Sequence, residues 1–68
     1  MKWIKTYQGE YLDLEKAFSL VVDGEEGEFF VKALFLTSGE DPFQLDIQRF
    51  ANREQAQENL DELAQKLQ

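Results

Sequence analysis

The run of residues 28–37 constrains the fold of this chain more than any other stretch, because it is apolar on both of its alternating faces. Successive side chains of a β-strand point to opposite sides of the sheet. As a strand, the run divides into two sets: Phe29, Val31, Ala33 and Phe35 on one face, and Phe30, Lys32, Leu34 and Leu36 on the other. Such a strand belongs in the middle of a sheet, and both of its faces need to be covered.

The sequence on either side of this run predicts four further strands. Turn-forming residues around Gly9, in 23–27 and in 38–42 separate stretches that are rich in β-branched, aromatic and alternating apolar side chains. The predicted strands span residues 2–7, 11–14, 18–22, 28–37 and 43–50. Short connections join neighbouring strands in antiparallel order, and this arrangement is a meander.

One amphipathic helix is predicted over residues 53–67. Asn52 is a suitable N-cap, and Gln55 occupies the third helical position, as in a capping box. Apolar side chains then recur at helical spacing along one side, at Ala56, Leu60, Leu63 and Leu67. This narrow stripe indicates that the helix packs on the sheet with one face and leaves the others in water.

Together these elements predict a single α+β domain over residues 1–68. Its architecture is an antiparallel β-meander of four to five strands with one C-terminal α-helix packed on one face, in two layers. The side chains expected in the helix-side core are Ile4, Leu12, Leu14, Phe18, Leu20, Val22, Phe29, Val31, Ala33, Phe35, Phe43, Leu45, Ile47 and Phe50.

The composition argues against catalysis and against a metal or cofactor site. The chain has no histidine and no cysteine, so it lacks the commonest general base and metal ligand as well as any thiolate. No base is present to activate Ser19 or Ser38. Acidic residues surround the turn at 23–27, but their spacing is not that of an EF-hand loop, which favours a solvated hairpin tip over a calcium site. A non-enzymatic protein without cofactors is expected.

The charge and hydropathy patterns bear on partners and location. Fourteen acidic residues against seven basic ones give a net charge of −7, which repels phosphate backbones and anionic membranes. No apolar run approaches the roughly 20 residues that cross a bilayer, and the first residues lack the apolar core of a signal peptide. We therefore expect a cytoplasmic protein without a membrane partner.

The sheet face opposite the helix is the predicted interaction face. It carries Trp3, Tyr7, Val21, Phe30, Lys32, Leu34 and Leu36. One helix cannot cover both faces of a sheet, so this face favours a protein partner, with a homodimer as the preferred form. Strong coiling of the sheet is the competing explanation, because it would fold Trp3 over Phe30 and Leu36 within one chain.

Two other functions use the same features. Aromatic side chains with nearby lysines on the predicted interaction face are typical of single-stranded nucleic-acid binders, although the net charge disfavours nucleic acid. The relevant residues are Trp3, Tyr7, Tyr11 and Phe30 with Lys2, Lys5 and Lys32. The lesser alternative is an acidic mimic of nucleic acid, whose carboxylates would occupy a nucleic-acid-binding protein.

Overall fold

Five β-strands, a 3₁₀ turn and one α-helix follow one another in the computed structural model, which describes residues 2–39 and 41–67. The strands are β1 Trp3–Lys5, β2 Tyr11–Asp13, β3 Ser19–Glu25, β4 Glu28–Phe35 and β5 Phe43–Phe50. The helix, α1, spans Arg53–Lys66, and the 3₁₀ turn spans Leu14–Lys16. The predicted α+β class, with antiparallel strands and a C-terminal helix, is confirmed.

The strands form two sheets in place of one continuous meander. β1 pairs with β2 in one sheet, and β3, β4 and β5 pair in that order in the other. The chain leaves β2 through the 3₁₀ turn, where the side chain of Asp13 accepts a hydrogen bond from the backbone N–H of Glu15. This turn buries Leu14 completely and leads the chain away from β2, so β3 pairs with β4 alone. A hydrogen bond from the N–H of Tyr7 to the carbonyl of Ile47, 2.9 Å long, links the two sheets.

The β3–β4 hairpin depends on its glycines. Glu25 pairs with Glu28, so a two-residue loop closes the hairpin, and Gly27 in that loop has φ of +88°. Gly24 has φ of +147°, and a Cβ atom there would collide with the backbone carbonyl of Glu28. Both positions therefore require glycine, because side chains disfavour these backbone angles.

A β-bulge in β5 puts more of this strand against the helix than alternation allows. Lys32 pairs with Asp46 and Val31 pairs with Gln48, so Ile47 is an extra residue in the ladder. Ile47 and Phe50 are three residues apart and would face opposite sides of a regular strand. With the bulge, Ile47 and Phe50 both face the helix. Gln48 faces it too, although unbroken alternation would place Gln48 on the solvent-facing side of the sheet.

The helix begins as its sequence predicts and packs over the three-stranded sheet. The Oδ1 of Asn52 accepts a hydrogen bond of 2.9 Å from the N–H of Gln55, and Ala56 and Leu63 are buried against the strands. The buried apolar side chains form one cluster of Leu12, Leu14, Val31, Ala33, Ile47, Ala56 and Leu63. The core therefore lies between α1 and the sheets.

Two aromatic side chains expected in this core are exposed instead. Phe18 and Phe43 are 50% and 54% exposed. Phe43 pairs with Phe35 at the end of the sheet, and Phe18 donates its N–H to Leu34 at the same end. The 14-residue helix is about 21 Å long and an eight-residue strand is about 27 Å long. Because α1 starts just after β5 finishes at the opposite end, it does not reach over the whole strand.

Candidate interaction site

The sheet surface that points away from α1, here called the far face, consists of three rows of side chains. Residues directly opposite one another in antiparallel strands share a face, so the register of β3, β4 and β5 defines each row. The rows are Ser19–Leu34–Gln44, Val21–Lys32–Asp46 and Asp23–Phe30–Arg49. Val21, Phe30 and Leu34 are half-buried, which leaves part of each in contact with water.

Lys32 occupies the centre of the far face and is held by carboxylates from both neighbouring strands. Its Nζ lies 3.4 Å from Oδ2 of Asp23 on β3 and 3.9 Å from Oδ1 of Asp46 on β5. The Lys32 side chain is only 20% exposed. The cation is thus matched within the sheet, and a partner that covers it need not supply a counter-ion.

Tyr7 closes one end of the far face. Its ring centroid lies 6.3 Å from that of Phe30, with the ring planes inclined at 47°. The guanidinium of Arg49 lies 5.8 Å from the Tyr7 ring centroid, within the range of a cation–π interaction. The hydrogen bond from the N–H of Tyr7 to the carbonyl of Ile47 holds the backbone of Tyr7 beside β5.

The far face is electrically neutral across its three rows, although the chain is strongly acidic. Asp23 and Asp46 are balanced by Lys32 and Arg49. The exposed side of the helix, in contrast, carries a series of carboxylates at Glu54, Glu58, Asp61 and Glu62. The far face therefore carries no excess of negative charge that would repel a second acidic chain.

The structure brings together five of the seven residues of the predicted interaction face. They are Tyr7, Val21, Phe30, Lys32 and Leu34. Leu36 follows the end of β4 and is 77% exposed. Trp3 lies elsewhere, because it lines a groove with Leu63 and Lys66 of the helix.

Sequence reasoning missed a second exposed apolar feature, the row of Phe18, Phe35 and Phe43 at the end of the sheet beyond the helix. The rings of Phe35 and Phe43 are 6.2 Å apart, between centroids, and tilted by 41°. A comparison of the expected helix length with the expected strand length would have indicated that this row extends past the helix. The row lies on the helix side of the sheet, because Phe35 shares a face with Ala33, and it is therefore separate from the far face.

Asp13 carries a buried carboxylate that accepts hydrogen bonds from two backbone N–H groups. It is buried, and its Oδ1 accepts hydrogen bonds from the N–H of Lys2, at 3.0 Å, and from the N–H of Glu15, at 3.2 Å. The hydrogen bond from the N–H of Lys2 is the main cause of a lowered pKa at Asp13. Burial raises the pKa, whereas the hydrogen bond from Glu15 and the positive charge of Lys16 lower it further. Because these partners are backbone groups, Asp13 ties the start of β1 to the 3₁₀ turn and has a structural role.

No group of three or more carboxylates within residues 2–39 and 41–67 is placed to hold a metal ion. The described helix is too short and too polar to span a membrane.

No protein-family model matches the chain, and neither a curated protein nor a solved structure matches it.

Proposed function

We propose that the protein is a small, acidic, non-enzymatic interaction module that associates with a second copy of itself through the far face. The observation that carries this proposal is the internal neutralisation of Lys32 by Asp23 and Asp46. It leaves a neutral, partly apolar surface on a chain whose net charge is −7. In the dimer the two helices lie on the outside, and each copy contributes a helix layer and a sheet layer.

The size of the far face sets the strength of this association. Three strands about 4.8 Å apart and about 27 Å long present roughly 390 Å² of sheet per copy. A standard stable interface buries about 800 Å² per partner. The dimer is therefore weak and depends on protein concentration, unless Leu36 extends the contact.

Sedimentation velocity over a range of protein concentrations tests the proposal. The average mass of the wild type should rise toward that of a dimer, whereas Leu34→Glu should remain a folded monomer because it places an unpaired charge in the contact. Gln65→Glu adds the same charge on the exposed side of the helix and should behave like the wild type. A wild type that stays monomeric at the highest concentration would contradict the proposal.

A second candidate, a single-stranded nucleic-acid binder, is favoured by one observation. The guanidinium of Arg49 lies 5.8 Å from the Tyr7 ring centroid, with Phe30 beside that ring, and bases stack on aromatic and guanidinium groups of this kind. The two functions have opposite dependence on salt. Salt screens the repulsion between two acidic chains and strengthens the dimer, but it weakens nucleic-acid binding. Absence of binding to a labelled oligonucleotide at low salt would eliminate this candidate.

A further inference from the structure

A groove on the helix side of the molecule, separate from the far face, has the features of a ligand site. It lies between β1, β5 and α1 and has a volume of about 320 Å³, near the lower end of the range for small-molecule sites. Ile47 and Leu63, which are almost fully buried, form its apolar base. Trp3 stands at its rim and is 59% exposed.

Asn59 in the wall of this groove has an unsatisfied hydrogen-bonding group. Its Oδ1 is buried and accepts no hydrogen bond from any residue that the structure describes. Buried polar atoms are nearly always paired, because an unpaired one lowers the stability of the fold. Because this oxygen is closed to solvent, a ligand that donates an N–H to it completes the pairing only after the Asn59 amide turns toward the groove.

The charge around the groove selects an anion. Lys5 and Lys66 line it, and no carboxylate belonging to the described part of the chain does. Three other depressions on the described surface are each lined by at least one glutamate. The first contains Glu28, the second contains Glu25, Glu26 and Glu28, and the third contains Glu58 and Glu62. In a chain of net charge −7 this concentration of cations distinguishes the groove from its surroundings.

We propose that the groove binds the C-terminal residue of a partner peptide that ends in an apolar side chain. One such residue supplies all three complementary groups: an amide N–H for Oδ1 of Asn59, a carboxylate for Lys66 and Lys5, and an apolar side chain for the base of the groove. The amide of Gln48, which also lines the groove, offers a further hydrogen-bonding group to the peptide backbone.

Fluorescence titration tests the proposal directly, because Trp3 is the chain's one tryptophan and lies at the rim. The probe is N-acetyl-alanyl-leucine, and the comparison ligand is the same dipeptide as its C-terminal amide. The free carboxylate should give a saturable change with a Kd of about 0.1–10 mM, as expected for a ligand of this size. The amide should bind about tenfold more weakly, since it lacks the charge that the lysines recognise.

Three variants locate the site. Lys66→Gln should weaken binding of the carboxylate several-fold, whereas Lys16→Gln, which removes a lysine outside the groove, should leave it unchanged. Asn59→Leu should weaken binding about tenfold and raise the Tm, because it removes both the acceptor for the ligand and an unpaired buried polar atom. Equal binding of the two dipeptides, no binding of either, or a lower Tm for Asn59→Leu would overturn the proposal.

Discussion

The ammonium of Lys32 lies 3.4 Å from the carboxylate of Asp23, which belongs to the neighbouring strand. Asp23 is 68% exposed, so this ion pair is well solvated on one side. We expect a double-mutant cycle of Lys32→Gln and Asp23→Asn to give a coupling of about 0.2–1 kcal/mol, as for other pairs near a surface. Urea unfolding at low and high ionic strength measures it, and the coupling should shrink as salt is added. A coupling that does not change with salt would show that the pair is not electrostatic.

The two leucines of the helix stripe should differ in their contribution to stability. Leu63 is 6% exposed and belongs to the buried cluster, whereas Leu60 is half-buried and packs against its border. Leu63→Ala should lower the free energy of unfolding by about 2–4 kcal/mol, and Leu60→Ala by less. Denaturant midpoints provide the measurement, with Glu58→Ala as the nearly silent control. Equal effects of Leu63→Ala and Glu58→Ala would contradict the packing of the helix.

The N-cap of the helix makes a separate contribution. Asn52→Ala removes the acceptor for the N–H of Gln55 and should cost about 1 kcal/mol. Asn52→Asp keeps an acceptor and adds a negative charge at the helix N-terminus, so it should retain the stability of the wild type. Thermal midpoints of the two variants are compared; a loss of the same size in both would argue against capping by this side chain.

Asp13 should make stability depend on pH at the acidic end of the range. Its pKa is lowered from an ordinary value of 3.8, so the native state binds fewer protons than the unfolded state. The stabilisation is fully present above this ordinary value and is lost as the pH falls through the lower folded pKa. Asp13→Asn keeps an acceptor for Lys2 and Glu15 but cannot titrate. The difference in unfolding free energy between wild type and Asp13→Asn should therefore decrease in acid; a constant difference would exclude this linkage.

The elements that the sequence predicts well are those specified by neighbouring residues. The cap at Asn52, the helix that follows and the hairpin around Gly24 and Gly27 depend on local spacing and backbone conformation, and all are present in the structure. The central strand is also recognisable, because side chains on both of its faces are apolar. Local pattern was sufficient for these elements.

The division into two sheets and the grouping of side chains on each face depend on contacts between distant residues. Alternation predicts that Trp3 and Phe30 share a surface, but β1 pairs only with β2 among the described strands, and its position is set by Tyr7 and Ile47. Tyr7 therefore covers Phe30, and Trp3 lies beside the helix. The spacing of residues along the chain does not predict that Tyr7, rather than Trp3, lies against Phe30.

The bulge at Ile47 also changes the outer edge of β5. The outer edge of a terminal strand offers free N–H and C=O groups to any extended chain, and such edges initiate strand addition between molecules. The bulge bends β5, and the carbonyl of Ile47 on that edge accepts the N–H of Tyr7. The edge of β5 is thereby interrupted within the molecule itself. An extended chain that approached this edge would find the carbonyl of Ile47 already occupied.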